Sequence, residues 1–248
     1  LPSFGASSTS LSVPLNRRKQ GAGESWSAYY YIVATDAAGN TGTGSNSASM
    51  ATTPYDIVNP TIASLSAADT TGAYKTDSGM QRVTWGAIAD DNTGVASATL
   101  QRWFYDSNGT WQGADTYNIG GSLGGSYLDL SVPTNRRKQG SGVTWYAYYR
   151  VTVVDNAGNT ATADAGGYQT APYDIVAPTV PIPTVTSGGS SDTISWTAVT
   201  DDNTGIASAT LYQAVYNVTA NTYTNKYASV AIGTGGASST TMSIPNAI

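Results

Sequence analysis

The most regular stretch of the chain runs from Trp145 to Val154 and alternates between two kinds of position. The apolar or aromatic set consists of Ala147, Tyr149, Val151 and Val153. Because successive side chains of a strand point to opposite faces, this set predicts a core-facing side, with Arg150 and Thr152 on the other side. The segment Asp155-Asn-Ala-Gly-Asn159 follows and predicts a turn with a left-handed backbone at Gly158, so the pattern indicates a β-hairpin.

This hydrophobic pattern returns along the chain because the sequence repeats itself. Residues 11–21 reappear as residues 130–140, which lie 119 positions later, and residues 83–100 reappear as residues 194–211, which lie 111 positions later. Both shifts describe one period with small insertions in loops. The two repeated segments are therefore the back and front halves of a single module.

Placing these halves in order divides the chain into three parts. Residues 1–59 carry the C-terminal half of a β-sandwich module, residues 60–177 a complete module and residues 178–248 an N-terminal half. We expect either a segment of a longer repetitive polypeptide or a subunit whose incomplete ends are completed by neighbouring chains, giving a filament. The resemblance between Leu11-Ser-Val-Pro14 and Met242-Ser-Ile-Pro245 weighs against a simple complementation.

Composition supports the strand prediction and excludes several kinds of site. Charged residues make up only 11% of the chain and Glu24 is the only glutamate, so helix-forming residues are scarce. Without Cys or His, the chain has no disulfides, thiolate nucleophiles, imidazole metal ligands or Ser-His-Asp triads, and we expect it not to be an enzyme. A net charge of −5 argues against nucleic acid as a partner. No apolar run approaches the roughly 18 residues of a membrane-spanning segment.

The module is similar to fibronectin type III and bacterial immunoglobulin-like repeats. In those families a strand with an inward aromatic residue leads into an Asp-x-Ala-Gly-Asn turn, and Val83-Thr-Trp85 and Ile194-Ser-Trp196 resemble the second strand with its buried tryptophan. The linkers Asp56-Ile-Val-Asn-Pro60 and Asp174-Ile-Val-Ala-Pro178 resemble the acidic junctions between bacterial surface repeats. The resemblance implies an all-β fold of tandem β-sandwich modules and specifies architecture far better than activity.

Acidic residues are expected to converge where one module follows another. In a sandwich of this topology, two loops lie at the pole where the preceding linker enters. The candidate ligands are Asp56, Asp90, Asp91, Asn92, Asp155, Asn156 and Asn159 at one junction, and Asp174, Asp201, Asp202 and Asn203 at the next. Carboxylate and amide oxygens suit Ca²⁺, so one hypothesis is calcium between modules. The alternative is that these residues form ordinary turns whose side chains cap backbone amides.

Two other features of the sequence have a structural and a functional interpretation. The runs Arg17-Arg18-Lys19 and Arg136-Arg137-Lys138 predict solvated loops that limit aggregation, or electrostatic contacts with an acidic pole or anionic glycans. Outward tyrosines such as Tyr146 and Tyr148 predict either a strand surface or an interface for lateral packing or carbohydrate. Trp103 and Trp111 have no evident counterparts in the last part of the chain, so a carbohydrate-binding surface stays open as the alternative.

The function expected from the sequence is structural. Acidic turns that recur from module to module favour a structural role over catalysis. We expect an extracellular or cell-surface location, in a spacer or self-assembling segment of an adhesin, S-layer-like coat or filament. Its partners would be neighbouring repeats or subunits. The alternative is a carbohydrate-binding or accessory module of a secreted enzyme.

Overall fold

The computed structural model describes residues 8–45, 49–75, 78–121, 123–234 and 236–243. In this part of the chain the protein is all-β, as predicted, and its helical elements are two single 3-10 turns, Leu15–Arg17 and Thr134–Arg136. Below, residues 1–59 are called the first half-module, residues 60–177 the central module and residues 178–248 the last half-module. These boundaries come from the sequence repeat.

In its described residues, the central module contains nine strands. They are β5 (Thr61–Ile62), β6 (Leu65–Asp69), β7 (Gly79–Trp85), β8 (Ile88–Ala89), β9 (Val95–Asp106), β10 (Trp111–Asn118), β11 (Ser126–Val132), β12 (Trp145–Asp155) and β13 (Thr160–Gln169), following β1 to β4 of the first half-module. Antiparallel pairing gives a three-stranded sheet with the order β11-β7-β6 and a four-stranded sheet with the order β10-β9-β12-β13. Strands β5 and β8 form a separate short pair.

The core of the central module lies between these two sheets. Its buried residues are Val83, Trp85, Ile88, Ala98, Leu100, Phe104, Ile119, Leu130, Val132, Trp145, Ala147, Tyr149, Val151 and Val153. Contributions come from both sheets, which is consistent with a β-sandwich. The predicted inward face of β12 is confirmed, because its four residues are each 0% exposed. The predicted hairpin is also confirmed, since β12 pairs with β13 and Gly158 has a φ of 94°.

A buried polar pair lies inside this core. The Tyr149 hydroxyl donates a hydrogen bond of 2.5 Å to Gln81 Oε1, and both side chains are 0% exposed. The Gln81 amide donates in turn to the Gln169 carbonyl at 3.3 Å, which connects the two sheets. Burial raises the pKa of Tyr149 well above the ordinary tyrosine value. The core of the central module therefore holds this hydroxyl in its neutral form.

We expect this buried tyrosine to make the module sensitive to alkali. Because the pKa of Tyr149 is higher in the folded than in the unfolded chain, its contribution to stability is complete below about pH 10 and falls as the pH rises further. Urea unfolding at several pH values between 8 and 12 should show a shallower alkaline loss for Tyr149→Phe than for the wild type. The control is Tyr127→Phe on the exposed face of β11, and equal slopes for both variants would contradict the expectation.

The part of the first half-module that the structure describes contains two small strand pairs. Strand β1 (Ser27–Ala28) pairs with β4 (Met50–Ala51), and β2 (Tyr31–Thr35) pairs with β3 (Thr41–Ser45). The repeat of 119 positions aligns β1 and β2 together with β12 of the central module. Every residue of β2 is nevertheless exposed. The face of β12 that is buried in the central module therefore corresponds to a solvent-exposed face in the first half-module.

The last half-module also has an open core. Its strands are β14 (Thr184–Ser187), β15 (Ser191–Trp196), β16 (Ala209–Asn217), β17 (Thr222–Gly233) and β18 (Ser238–Ser243). They form a three-stranded sheet with the order β14-β15-β18 and a two-stranded sheet of β16 and β17. Trp196 was expected to be buried like Trp85, but it is half-buried, because the described strands here include no counterpart of β12 and β13 to cover it.

Candidate functional site

The junction between the first half-module and the central module is organised around Asp56. This linker residue is buried, and its Oδ2 atom accepts hydrogen bonds from the Thr93 hydroxyl at 2.7 Å and the Thr93 amide at 3.2 Å. Its Oδ1 atom accepts from the Val58 amide at 3.1 Å. The Thr93 hydroxyl, followed by these amides, holds the pKa of Asp56 below its usual value. The linker is thus fixed to the loop that follows β8.

Two loops of the central module surround this linker carboxylate. Asp90 Oδ2 accepts from the amides of Asn92 and Gly94 at 3.0 and 2.7 Å. Asp155 is also buried, and its Oδ1 atom accepts from the amides of Ala157 and Asn159 at 2.8 Å each. Both carboxylates therefore cap turns. This is the arrangement that the turn interpretation predicts.

The loop after β12 also binds the other two parts of this junction. Asn159 Nδ2 donates to the Asp56 carbonyl at 3.3 Å. Asn156 Nδ2 donates to the carbonyls of Thr93 and Gly94 at 2.9 and 3.1 Å. The linker, the loop after β8 and the loop after β12 are consequently connected by hydrogen bonds.

The junction before the last half-module repeats these contacts. Asp174 is buried and accepts from the Thr204 hydroxyl at 2.5 Å and from the Val176 amide at 3.1 Å. Asp201 accepts from the amides of Asn203 and Gly205 at 3.0 and 2.7 Å, and these amides lower the pKa of its carboxyl. The same residue types make the same contacts at both junctions.

A further contact joins each junction to the preceding repeat. Asn92 Nδ2 donates to the Lys19 carbonyl at 3.3 Å, and the corresponding Asn203 Nδ2 donates to the Lys138 carbonyl at 3.0 Å. Those two carbonyls also accept from the linker amides of Tyr55 and Tyr173, respectively. The loop that contains the Arg-Arg-Lys run thus contacts both its own linker and the next module.

The second arginine of that run is the residue that sequence reasoning misinterpreted. Arg137 is only 1% exposed, and it donates through Nε to the Ala171 carbonyl at 2.8 Å and through Nη2 to the Pro172 carbonyl at 2.6 Å. Its guanidinium lies over the Tyr173 ring, and its side chain packs so closely against Gly79 that a Cβ there would lie 2.9 Å from it. The prediction of a solvated or glycan-binding loop is therefore wrong for this residue.

The first half-module contains the same contact. Arg18 donates to the carbonyls of Thr53 and Pro54 at 2.7 Å each and lies over the Tyr55 ring. We call this contact, made by Arg18 or Arg137, the arginine clamp. It attaches the loop after the 3-10 turn to the start of the linker, two residues before Asp56 or Asp174. A sequence signal for it existed in the strict repetition of the run, but not in its charge.

The acidic residues form two compact groups. Ligand atoms of Asp56, Asp90 and Asp155 lie within 4.8 Å of one another, as do those of Asp174, Asp201 and Asp202. Asp91 is exposed and belongs to neither group, although its equivalent Asp202, also exposed, belongs to the second; the two carboxylates lie against Gly21 and Gly140 of the preceding repeats, respectively. Asn156, another predicted ligand, uses its amide group to bind backbone carbonyls instead.

Three oxygens at these junctions bear on whether a hard cation fits. Asp90 Oδ1, Asn92 Oδ1 and Asn203 Oδ1 are buried and accept no hydrogen bond from the described residues. Buried oxygen acceptors are normally satisfied, and carboxylate and amide oxygens are the donors that Ca²⁺ prefers. The donor set is therefore compatible with calcium, although the turn hydrogen bonds already use most of the other carboxylate oxygens.

A cluster of aromatic side chains covers the outer face of the four-stranded sheet. Tyr105 lies 4.8 Å from Trp111 and 5.3 Å from Tyr146 between ring centroids, and Tyr148 lies 5.7 Å from Trp103 and 5.5 Å from Trp111. Arg150, paired with Asp164, lies beside this cluster and over Trp103. We call these five aromatic residues the aromatic platform.

Comparisons with known proteins give no assignment: no family model matches the chain, and no curated protein matches it. Among the residues that the structure describes, none belongs to a helix long and apolar enough to cross a membrane. The function must therefore be argued from the junctions and surfaces themselves.

Proposed function

We propose that the chain is a non-enzymatic structural segment of an extracellular or cell-surface protein, in which tandem modules act as a load-bearing spacer. The observation that carries this proposal is the repetition of one set of contacts at both junctions. Asp56 and Asp174 bind the next module through Thr93 and Thr204, and the arginine clamp fixes the preceding loop each time. A single catalytic site has no need to recur in this way.

These contacts favour a rigid junction over a flexible tether. Flexible linkers are rich in Gly and Ser and leave their backbone to solvent. In this chain the linker carboxylate is buried and the linker backbone is bound from both sides: the Asp56 carbonyl accepts from Asn159 of the next module, and the Tyr55 amide donates to the Lys19 carbonyl of the preceding loop. Modules joined in this way keep a fixed spacing, as a spacer in an adhesin, S-layer-like coat or filament requires. The resemblance to bacterial immunoglobulin-like and fibronectin type III repeats points to the same kind of protein.

Single-molecule fluorescence energy transfer tests this rigidity at picomolar concentration, where chains do not meet. The chain contains no cysteine, so dyes can be attached after Thr43→Cys in β3 and Asn108→Cys in an exposed turn of the central module. We expect a single narrow distribution that broadens in Arg18→Ala, because the clamp is lost. The control is Lys19→Ala, which keeps the backbone carbonyl that accepts from Asn92 and removes only a charge with a minor effect on Asp56. A broad distribution in the wild type would refute the spacer.

We also propose that Ca²⁺ binds at these junctions. Asp56, Asp90 and Asp155 would hold it at the first junction and Asp174, Asp201 and Asp202 at the second, with Asn92 and Asn203 supplying amide oxygens. Three carboxylates whose oxygens lie within 4.8 Å repel one another, and a bound cation would offset that repulsion. The ion would stiffen the junction further, and its predicted effect on stability is large.

The aromatic platform supports a second candidate function, carbohydrate binding. Flat, exposed aromatic rings beside polar groups suit the apolar faces of sugar rings, and Trp111 is 55% exposed. Electrophoresis through gels that contain a soluble β-glucan or a soluble mannan would test it. Retardation of the wild type that is lost in Trp111→Ala, but kept in Tyr127→Ala on the other sheet, would support a binding module. Equal mobility in all gels would exclude one for these glycans.

A further inference from the structure

The two half-modules expose complementary parts of the same core. Val151 in β12 is 0% exposed, whereas its equivalent in the first half-module, Ile32, is 76% exposed. On the other side of the same contact, Leu100 in β9 is 0% exposed, and its equivalent in the last half-module, Leu211, is only half-buried. In the central module the corresponding pair, Val151 and Leu100, lie directly opposite each other.

The strand edges are complementary as well. Strand β9 of the central module pairs with β10 on one edge and with β12 on the other. Its equivalent β16 pairs with β17 alone, and β2, which corresponds to the end of β12, pairs with β3 alone among the described strands. Among the described strands, each half-module thus leaves open one edge that is paired in the central module, and open edges readily pair with another chain.

We propose that the half-modules of two copies of this chain combine into one sandwich, in which β2 and β3 of one copy add to β16 of the other. This rests on the proposed role as a structural segment of tandem modules and adds a partner, a second copy of the chain. The pairing of β12 with β9 supplies the register: Ile32 would lie opposite Leu211, Tyr30 opposite Gln213 and Ala28 opposite Val215. The central module is the template for the composite.

The side chains of the two open surfaces fit this arrangement. The open surface of the last half-module is lined by Pro183, Val185, Asp192, Ile194, Leu211, Val215 and Met242. The open surface of the first half-module includes Trp26, Ala28 and Tyr30. Asp192 is the equivalent of Gln81 and Tyr30 that of Tyr149, so the composite would replace the buried tyrosine–glutamine hydrogen bond by one from the Tyr30 hydroxyl to a carboxylate.

The composite would also complete the second junction. In the central module Asp155 and Asn159 close the junction around Asp56. The last half-module has no equivalent of these two residues among its described positions, but the first half-module has both, as Asp36 and Asn40. The Asp36 carboxylate already accepts from the amides of Ala38 and Asn40, as Asp155 does from its own turn. Addition of the first half-module would bring Asp36 to Asp174 of the other copy.

One apparent conflict, the duplicated strand, is resolved by the structure. Both Leu11–Val13 and Met242 with its neighbours correspond to β11, which has only one place in a sandwich. Strand β18 already fills that place by pairing with β15, whereas residues 8–14 form no strand. The composite therefore takes β18 from one copy and β2 and β3 from the other. Because the contact joins two different surfaces, it is head-to-tail, and it propagates into a filament where the rotation between copies does not close a ring.

Cysteine cross-linking tests the register directly. Val33 and Thr210 are the equivalents of Thr152 and Thr99, which lie opposite each other on the outer face of the sheet, and both are exposed in this chain. Oxidation of Val33→Cys/Thr210→Cys should give a ladder of dimers, trimers and longer species on a non-reducing gel. In the control, Thr43→Cys/Thr210→Cys, the first cysteine lies one strand further away, about 10 Å from its partner, and the ladder should be absent. Ladders of equal yield would overturn the register.

Sedimentation velocity over a concentration series tests the contact without cross-links. Ile32→Arg places a charge in the composite core and should weaken association by about 100-fold or more. Val33→Arg, one residue further along the same strand but on the outer face, should leave it nearly unchanged. Both sites are exposed in the single chain, so its folding is unaffected. A wild type that stays monomeric at about 100 μM, or equal effects of the two variants on association, would overturn the pairing. Neither outcome would affect the rigidity of the junction, which is measured separately at picomolar concentration.

Discussion

Replacing Arg137 by alanine is expected to lower the free energy of unfolding of the central module by about 3 kcal/mol. The substitution removes two hydrogen bonds from a charged donor, to the carbonyls of Ala171 and Pro172, and leaves a cavity beside Gly79. It also detaches the start of the linker from the module. Urea unfolding followed by tryptophan fluorescence measures the loss.

Two further variants show whether the clamp is responsible. Arg136→Ala removes the neighbouring charge, whose guanidinium lies over the Trp145 ring without binding a linker carbonyl, and should cost about 1 kcal/mol at most. Arg137→Lys keeps the charge but cannot reach two carbonyls from one planar group, so it should recover little of the loss. Equal losses for Arg136→Ala and Arg137→Ala would mean that the run acts only through its charge.

Calcium is expected to raise the free energy of unfolding by about 2.7 kcal/mol at a free concentration one hundred times the dissociation constant. The reason is that the folded chain gathers three carboxylates at each junction, whereas the unfolded chain disperses them. Isothermal titration gives the dissociation constant, and urea unfolding with and without a chelator gives the stabilisation. The double variant Asp90→Asn/Asp155→Asn should lose the stabilisation at the first junction.

The control for the calcium prediction is Asp129→Asn. Asp129 pairs with Arg82 on the surface of the three-stranded sheet, away from both junctions, so this variant should respond to calcium like the wild type. No heat of binding, together with unchanged stability after chelation, would refute calcium binding at the junctions. The acidic residues would then act only as turn caps. The hydrogen bonds of Asp90 and Asp155 to nearby amides would persist in that case.

Local patterning was sufficient to predict much of the fold. The two-residue period of β12 identified four core residues because burial of one strand face forces alternation, and Gly158 marked the following turn because glycine tolerates a positive φ. The sequence repeat showed which segments, 119 and 111 positions apart, occupy equivalent places in the module. Period and turn chemistry are properties of a few neighbouring residues, which explains why they can be read directly.

Long-range features were less accessible. Arg137 looked like part of a solvated charge run, since nothing nearby in the sequence indicates that its side chain reaches carbonyls 34 and 35 positions away. Trp196 looked like a core tryptophan because the sequence around it matches Trp85, but its burial depends on strands that the described part of its own half-module lacks. Contacts of this kind depend on which strands share a sheet.

The aromatic platform illustrates an intermediate case. Tyr146 and Tyr148 were predicted to point outward, and Trp103 and Trp111 were noted as unusual, but their proximity depends on the pairing of β9 with both β10 and β12. Only that register places Tyr105 between Trp111 and Tyr146. The individual residues were accessible from the sequence, whereas the surface that they form was not.

Force spectroscopy on single chains tests the central claim, that the central module and its junctions bear load. With handles at the two ends, we expect the central module to unfold in one discrete event that lengthens the chain by about 380 Å, from residues 60–177 becoming extended. In Arg137→Ala the same event should occur at lower force, because the clamp no longer fixes the linker. Gradual extension of the wild type without a discrete event would contradict the load-bearing spacer.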